Sequence, residues 1–365
     1  MKMAPLSVYL AFYTSLFKGL AALAFARVYT SQRPSTRDLN GQVAIITGAN
    51  SGIGLSIAVQ LAKQGATVYL ACRNLQRGEK AVDEVISKVG EESKGRVHCW
   101  QLDTSDLNSV RNFSKRWREE RTKINMLVHN AGIASPPSGS PSTTKDGKSL
   151  VYVTNFLGSF LLTHLLEEHL AGDARIVLTS STGHHAAAEM PFLKPQKSTP
   201  TSPPSLFTRL KKSICNTLGL EVSSAPEYGL SKAQQVLFAN LLQHRLSSLG
   251  QARTAHVFTP GFTSTPIFGK FDVTWKTWLA NPVFSALKAT ERYVAVSTDE
   301  GATTGSWLAA GEVRDGGGYW EWQRRETSLV DFMRDVLGEV EFGKRAGEEW
   351  GRWERDAGVQ WECPV

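Results

Sequence analysis

The sequence predicts a single α/β domain, a doubly wound parallel sheet with helices on both faces. Three observations predict it. From residue 42 onward, short apolar runs alternate with longer stretches of helical periodicity. Each short run is apolar on both faces, which fits strands of a parallel sheet covered on both sides. A glycine-rich turn, Thr47-Gly48-Ala49-Asn50-Ser51-Gly52-Ile53-Gly54, joins the first such strand to the first such helix.

The elements follow in order. Gln42–Thr47 is a strand and Ile53–Lys63 a helix. Ala66–Ala71 is a strand again, before a polar helix over Leu75–Val89. Val97–Leu102 and Ile124–Val128 are strands flanking a helix over Leu107–Glu119, and a long helix over Leu150–Leu170 precedes a strand at Arg175–Thr179. Pro191, Pro195, Pro200, Pro203 and Pro204 mark an irregular insertion at 190–224, with a short helix around Leu206–Cys215. A helix over Tyr228–Ser248 and a strand at Thr254–Phe258 resume the pattern. Residues 261–298 read as cover rather than core, Glu300–Ala310 as a helix and Gly318–Trp320 as a last short strand. The tail from 321 is polar, yet six of the ten tryptophans lie after residue 300, so it is expected to dock on the domain.

Composition narrows the function. At 365 residues, 41% hydrophobic and 21% charged, the chain is neither disordered nor a multi-span membrane protein. Its four cysteines, at 72, 99, 215 and 363, form no Cys-x-x-Cys pair, so neither a disulfide framework nor a cysteine zinc site is supported. The net charge of +7 is local: Lys2, Lys18, Arg27, Arg33 and Arg37 supply +5 within the first 37 residues, which contain no acid. The remainder is only +2, which is no nucleic-acid footprint.

That N-terminal segment, from Ala4 to Ala26, is mostly apolar with Lys18 its only charge, and long enough to cross a bilayer's hydrocarbon. The basic residues behind it would leave the following domain in the cytosol. Ser7, Thr14 and Lys18 share one helical face, as a helix lying in the membrane interface requires. A cleaved mitochondrial targeting peptide and a helix packed on the protein itself are the other two readings. The expected organisation is a membrane anchor or targeting segment at 1–37, the α/β domain at 38–320 carrying the insertion, and a Trp-rich extension at 321–365. The expected location is the endoplasmic reticulum membrane with the α/β domain facing the cytosol; mitochondrial and cytoplasmic placements are the alternatives.

In the glycine turn, Gly48 permits a sharp bend, Gly52 lets backbone approach a pyrophosphate and Gly54 allows close helix–strand packing. The following helix N-terminus offers free N–H groups and a positive dipole. Tyr228 and Lys232 stand four apart, on one helical face. A nearby ammonium favours phenolate and would draw the tyrosine pKa down toward neutrality.

The three-residue gap between the first two glycines resembles that of the short-chain dehydrogenases/reductases, and other positions are similar to that family. They are Asp103 after the third strand, His129-Asn130-Ala131-Gly132 after the fourth, Asn155 in the fifth helix, and Ser181 after the fifth strand. Tyr228-x-x-x-Lys232 and Pro260-Gly261 leading to Thr265 complete the set. The phrases Ala71–Asn74 and Ser180–His185 are nearest to the retinol-dehydrogenase-like branch. The resemblance covers roughly residues 40–320. It implies a Rossmann-type fold and a catalytic set of Asn155, Ser181, Tyr228 and Lys232, with Ser181 chosen over Ser180 as the second of the family's pair. It also implies a cofactor site formed by Gly48, Asn50, Ser51, Gly52, Ile53, Gly54, Asp103, Asn130, Ala131, Gly132, Tyr228, Lys232, Pro260, Gly261 and Thr265. Tyr228 follows Ser181 by 47 positions, more than the family's usual spacing, and the insertion supplies the excess.

At the end of the second strand stand Cys72 and Arg73, with no carboxylate before Glu79. A carboxylate there would repel a ribose 2′-phosphate, whereas Arg73 can pair with one, so NADP(H) is favoured over NAD(H). His184-His185 lacks a third ligand, and no metal is expected. The implied function is an NADP(H)-dependent reductase of a hydrophobic carbonyl compound, such as a retinoid, steroid or polyketide-like metabolite. An NAD(H)-linked lipid alcohol dehydrogenase and a dinucleotide-binding scaffold are the alternatives. The expected partners are a hydrophobic small molecule and a membrane surface, with no nucleic acid and with homo-oligomerisation open.

Overall fold

The computed structural model describes residues 6–29, 32–137, 139–187, 225–264, 295–313 and 315–363. Eight strands form one sheet: β1 (Val43–Thr47), β2 (Thr67–Cys72), β3 (Val97–Gln101), β4 (Ile124–His129), β5 (Leu170–Thr179), β6 (Thr254–Thr259), β7 (Tyr319–Glu321) and β8 (Arg324–Glu326). Their spatial order is β3-β2-β1-β4-β5-β6-β7-β8. All neighbours pair in parallel except β7 and β8. The chain order reverses between β1 and β4, and a doubly wound sheet opens its ligand crevice at such a reversal, beyond the strands' carboxyl ends.

Every residue of β1 and β6 is buried, because helices cover both faces. One face packs against α2 (Gly52–Lys63) and α3 (Leu75–Val89). The other packs against α4 (Leu107–Glu120) and a helical run made of α5 (Leu150–Tyr152), a π turn (Val153–Leu157) and α6 (Gly158–Leu166). α7 (Ala225–Ser248) joins this second face, while α8 (Thr298–Ala309) packs on α2. Its N-terminus is held by a capping box between Ser297 and Glu300.

Three expectations are revised. The long helix over Leu150–Leu170 is interrupted by the π turn, and β5 already begins at Leu170. It is apolar and long enough to cross a membrane, but most of it is buried in the domain, so its composition reflects core packing. The sheet also continues past residue 320. A two-residue turn, Trp322-Gln323, with φ of 51° and 60°, folds β8 back on β7. Such a turn matches the twist of a two-stranded ribbon. The tail beyond it forms two helices, α9 (Leu329–Leu337) and α10 (Glu339–Ala357). The expected insertion at 190–224, with its short helix, and most of the cover at 261–298 lie outside the described residues.

The tail docks as its tryptophans require. Trp350, Trp353 and Trp361 are buried against Phe156, Phe160 and Phe238, with Phe156 and Trp353 ring centroids 4.6 Å apart. Trp350 Nε1 donates to the Trp361 carbonyl at 2.7 Å, so burial leaves no indole donor stranded there. The N-terminal segment forms α1 (Leu6–Tyr29). Its first half lies on the domain: Phe12 stacks on Phe332 at 4.2 Å and Lys18 pairs with Glu326 at 3.3 Å. Leu6, Leu10, Tyr13 and Phe17, at 74%, 59%, 60% and 72% exposure, form a stripe on the outer side. Trp353→Ala is expected to destabilise the protein by about 3–5 kcal/mol, read as a lower urea midpoint; an unchanged midpoint would detach the tail from the cooperative core.

Candidate active site

The crevice is built on the carboxyl ends of β1 and β4. The Thr47 hydroxyl accepts the N–H of Asn130 at 2.9 Å and of Ala131 at 3.0 Å, while Asn130 Nδ2 donates to the Thr47 carbonyl at 3.1 Å. Asn130 and Ala131 therefore hold the glycine loop in place. Gly48 has φ of 66°, and a Cβ there would lie 2.9 Å from the Ala131 backbone. A side chain at Gly54 would strike Asn130 Nδ2 and come within 2.7 Å of the Gly48 carbonyl. Both positions exclude any larger residue. Ser51 caps α2 in an extended conformation without a side-chain bond to the helix. The first N–H groups of α2, from Gly52, Ile53 and Gly54, are thus left for an anion, and Asn50 lies on the same loop. These residues fit the pyrophosphate of a dinucleotide.

Further along the crevice, Asp103 Oδ1 accepts from the Ser105 N–H at 2.9 Å and from its hydroxyl at 2.6 Å, which fixes the carboxylate beyond β3. Arg73 is exposed immediately after β2. A second cation that motif reading missed, Arg77, sits in the first turn of α3, close enough for its charge to act on the Cys72 thiol. Its position four residues after Arg73 was the available signal. Pro260 and Gly261 follow β6, and the Pro260 carbonyl accepts from Thr263 Oγ1 at 2.9 Å. A Cβ on Gly261, whose φ is 69°, would strike the Trp322 ring. The β7–β8 turn therefore roofs this end of the crevice. Thr265 lies outside the described residues.

Three separate stretches bring the four proposed catalytic groups together. Ser181 ends the run after β5, and its Oγ accepts the Gly183 N–H at 3.1 Å and shares a hydrogen bond with Tyr228. Its neighbour Ser180 points elsewhere, donating to the Lys232 carbonyl at 2.9 Å in the core. Lys232 lies one turn after Tyr228 on α7; its Nζ donates to the Thr179 carbonyl at 2.8 Å and stands 5.6 Å from the Tyr228 ring centroid. Asn155 occupies the π turn. Its Oδ1 accepts the Ile133 N–H at 2.7 Å, and its Nδ2 donates to the Ile133 carbonyl and to Ser231 Oγ, both at 3.0 Å. A π turn disrupts the ordinary helical ladder and is frequent at functional sites. Here Gln235 Nε2 donates to the Asn155 carbonyl at 2.7 Å. Gly132 sits between the groups: a Cβ on it would be 3.2 Å from Asn155 Oδ1 and 3.5 Å from Lys232 Nζ. Ser231 and Gln235 belong to no motif, and only their place on the Tyr228–Lys232 helix pointed to them.

The electrostatics differ from the expectation for Tyr228. Burial raises its pKa, and the Ser181 hydrogen bond only opposes that rise. Lys232 does not depress it, because burial lowers the lysine's own pKa to about 7 and so removes much of its charge. His184 and His185 are buried with rings 3.9 Å apart, and burial lowers both. Among the described residues, no group of three or more His, Cys, Asp or Glu is arranged to hold a metal.

Residues 42–191 match the family model described as short chain dehydrogenase. Mouse retinol dehydrogenase 12 is 34% identical over 275 residues, covering 74% of each chain. The chain belongs to the short-chain dehydrogenase/reductase family. Within that family it falls in the retinol-dehydrogenase-like branch: mouse retinol dehydrogenase 11 is 44% identical over 153 residues, 41% of this chain and 46% of that one. Chicken WW domain-containing oxidoreductase is 34% identical over 287 residues, 78% of this chain and 62% of its own length. The chain thus spans less than two thirds of these last two relatives. A short chain dehydrogenase from Burkholderia cenocepacia, solved in complex with NADP, shares the fold at a TM-score of 0.54 and 21% identity, covering 78% of this chain and 96% of that one.

The short-chain dehydrogenase core carries a pH signature. Native Lys232 has a pKa near 7 against 10.5 for the free side chain. The unfolded chain therefore binds more protons between those values, and stability rises with pH across that window. The stability of the protein without cofactor, relative to Lys232→Met, is expected to grow from pH 7 to pH 10 in urea titrations. A flat difference would contradict the buried, neutralised lysine.

Proposed function

We propose that this protein is an NADP(H)-dependent short-chain oxidoreductase that interconverts a carbonyl and an alcohol on a hydrophobic metabolite, acting principally as a reductase. The observation that carries this reading is the meeting of Ser181, Tyr228, Lys232 and Asn155 beside the glycine loop. A binding scaffold needs the loop but not all four of those groups.

The glycine loop, the α2 N-terminus, Asp103, Gly132 and Pro260-Gly261 would hold the dinucleotide, and Lys232 would anchor its nicotinamide ribose. When bound, that cofactor supplies or accepts the hydride. Ser181 donates a hydrogen bond to the substrate oxygen and stabilises the charge developing there. Tyr228 gives that oxygen its proton in reduction, or removes it in oxidation, and Ser181 keeps the phenol aimed. Lys232, poised near pH 7 by burial, exchanges a proton close to Tyr228 without holding a full charge in the core. Asn155, clamped on Ile133 and Ser231, sets the wall through which that proton is replenished.

Arg73 and Arg77, with no carboxylate between Cys72 and Glu79, support a 2′-phosphate and hence NADP(H). The names of the retinol dehydrogenase relatives and the apolar N-terminal helix support a lipophilic substrate of retinoid, steroid or polyketide type. The exposed stripe of Leu6, Leu10, Tyr13 and Phe17, on a segment carrying only basic charges, supports attachment to a membrane surface. We place the catalytic domain on the cytosolic side of the endoplasmic reticulum.

Purified protein is expected to oxidise NADPH in the presence of hydrophobic aldehydes or ketones. Tyr228→Phe should lower turnover by about 10²–10⁴-fold with near-normal NADPH binding; activity that survives it would overturn the mechanism. Arg73→Ala is expected to raise the Michaelis constant for NADPH by about tenfold, the loss of one charge-assisted bond, while leaving that for NADH unchanged. A wild type that prefers NADH would overturn the cofactor assignment.

A further inference from the structure

Two cysteines meet beneath the Arg73 end of the crevice. Cys72 closes β2, and Cys99 lies in β3 opposite Leu70, with Gln101 opposite Cys72. Residues two apart on a strand share a face, so both thiols point to the side covered by α3. They converge on Gly78, where a Cβ would strike Cys99 Sγ and lie 3.6 Å from Cys72 Sγ. The absence of a side chain at this position in α3 makes room for the pair. The thiols lie close enough for each to shift the other's acidity. Cys72 is buried, Cys99 is half-buried, and both are free thiols.

We propose that Cys72 and Cys99 form a reversible redox modification site that controls dinucleotide affinity, with hydrogen peroxide as oxidant. The Cys99 thiolate attacks one peroxide oxygen. An S–O bond forms, the O–O bond breaks, and the second oxygen leaves as water after taking a proton. The Cys72 sulfur then attacks the Cys99 sulfenic acid; the S–S bond forms, the S–O bond breaks and a second water leaves. Two thiols lose two electrons and two protons while the peroxide is reduced to two waters. The contact with Cys72 lowers the Cys99 thiol, whereas the same contact and burial raise Cys72. The less buried of the two cysteines is thus also the better nucleophile.

Closing this bond moves backbone. In a parallel sheet, strands about 4.8 Å apart with about 3.3 Å per residue place such diagonal Cα atoms roughly 8 Å apart. A disulfide spans less than about 7 Å without backbone movement. The end of β2 must therefore shift toward β3. That end is tied to the cofactor loop: the Gly48 N–H donates to the Ala71 carbonyl at 2.8 Å, the Ala49 backbone lies near enough to act on the Cys72 thiol, and Arg73 is the next residue. Oxidation would pull on all three, and a strained disulfide is readily reduced again. The effect on affinity rests on the dinucleotide reading above; the chemistry of the thiols does not.

The test treats full-length protein and Cys99→Ser with hydrogen peroxide, then with dithiothreitol. Peptide mapping is expected to find a Cys72–Cys99 link in the wild type. NADPH binding should weaken at least ~10-fold, as loss of one charge-assisted bond implies, and recover on reduction. Cys99→Ser should keep its affinity throughout. Amide exchange over residues 48–52, which needs no cofactor, should rise on oxidation in the wild type alone. Thiols that stay unlinked, or a link that alters neither binding nor exchange, would overturn the proposal. A reduced protein that binds no NADPH yet links and loosens the loop would sustain the redox site and overturn the cofactor reading instead.

Discussion

The Thr47 hydroxyl carries much of this architecture. Buried at the end of β1, it accepts two successive backbone N–H groups from the end of β4, at the one place where the winding of the sheet reverses. No strand lies in that gap to satisfy those donors, and unpaired buried amides are costly. By meeting them, Thr47 fixes the separation of the two strand ends. It thereby fixes the position of the glycine loop that leaves β1 and of the Asn130–Gly132 segment that leaves β4. The cofactor crevice is the space this stitch holds open, and Gly48 and Gly54 are glycines because the stitched backbones pass too close for a side chain.

Beyond the crevice, the second organising feature is a buried cation with little room for its charge. Lys232 reaches the Thr179 carbonyl from α7, and burial has brought it close to neutrality at physiological pH. Ser180 bonds the Lys232 backbone, Ser181 bonds Tyr228, and Asn155 is clamped across the π turn to Ile133 and Ser231. The groups are held by backbone and core contacts, so their mutual geometry follows from the packing of α7 on the sheet rather than from loop conformation. The tail helix α10 reinforces this from outside, because Trp353 presses on Phe156 within the same π turn that holds Asn155.

Much of this was legible in the sequence. The alternation of strands and helices, the glycine loop, Tyr228-x-x-x-Lys232 and Asn130-Ala131-Gly132 are local patterns. Local backbone chemistry demands particular residues there, glycine above all. Less visible were Arg77, Ser231 and Gln235, whose relevance depends on which helical face meets which strand end. The sequence marks β7 through Gly318–Trp320, but β8 escaped notice because a three-residue strand carries almost no periodicity. The π turn did too, since Val153–Leu157 reads as ordinary apolar helix. The tail's helices were hidden by its polarity, although the tryptophans correctly indicated that it docks.

The sequence by itself determined the fold class, the membership of the family and the identity of most crevice residues. These follow from patterns a few residues long, and short-range sterics and hydrogen bonding act at that range. Only the tertiary structure decided that Ser180 turns inward to the Lys232 carbonyl, that Lys232 is too buried to act as a full charge, and that Cys72 and Cys99 meet under the cofactor loop. Those outcomes depend on burial and on distances between segments far apart in the chain. Desolvation and side-chain contact exist only once the sheet has brought those segments together.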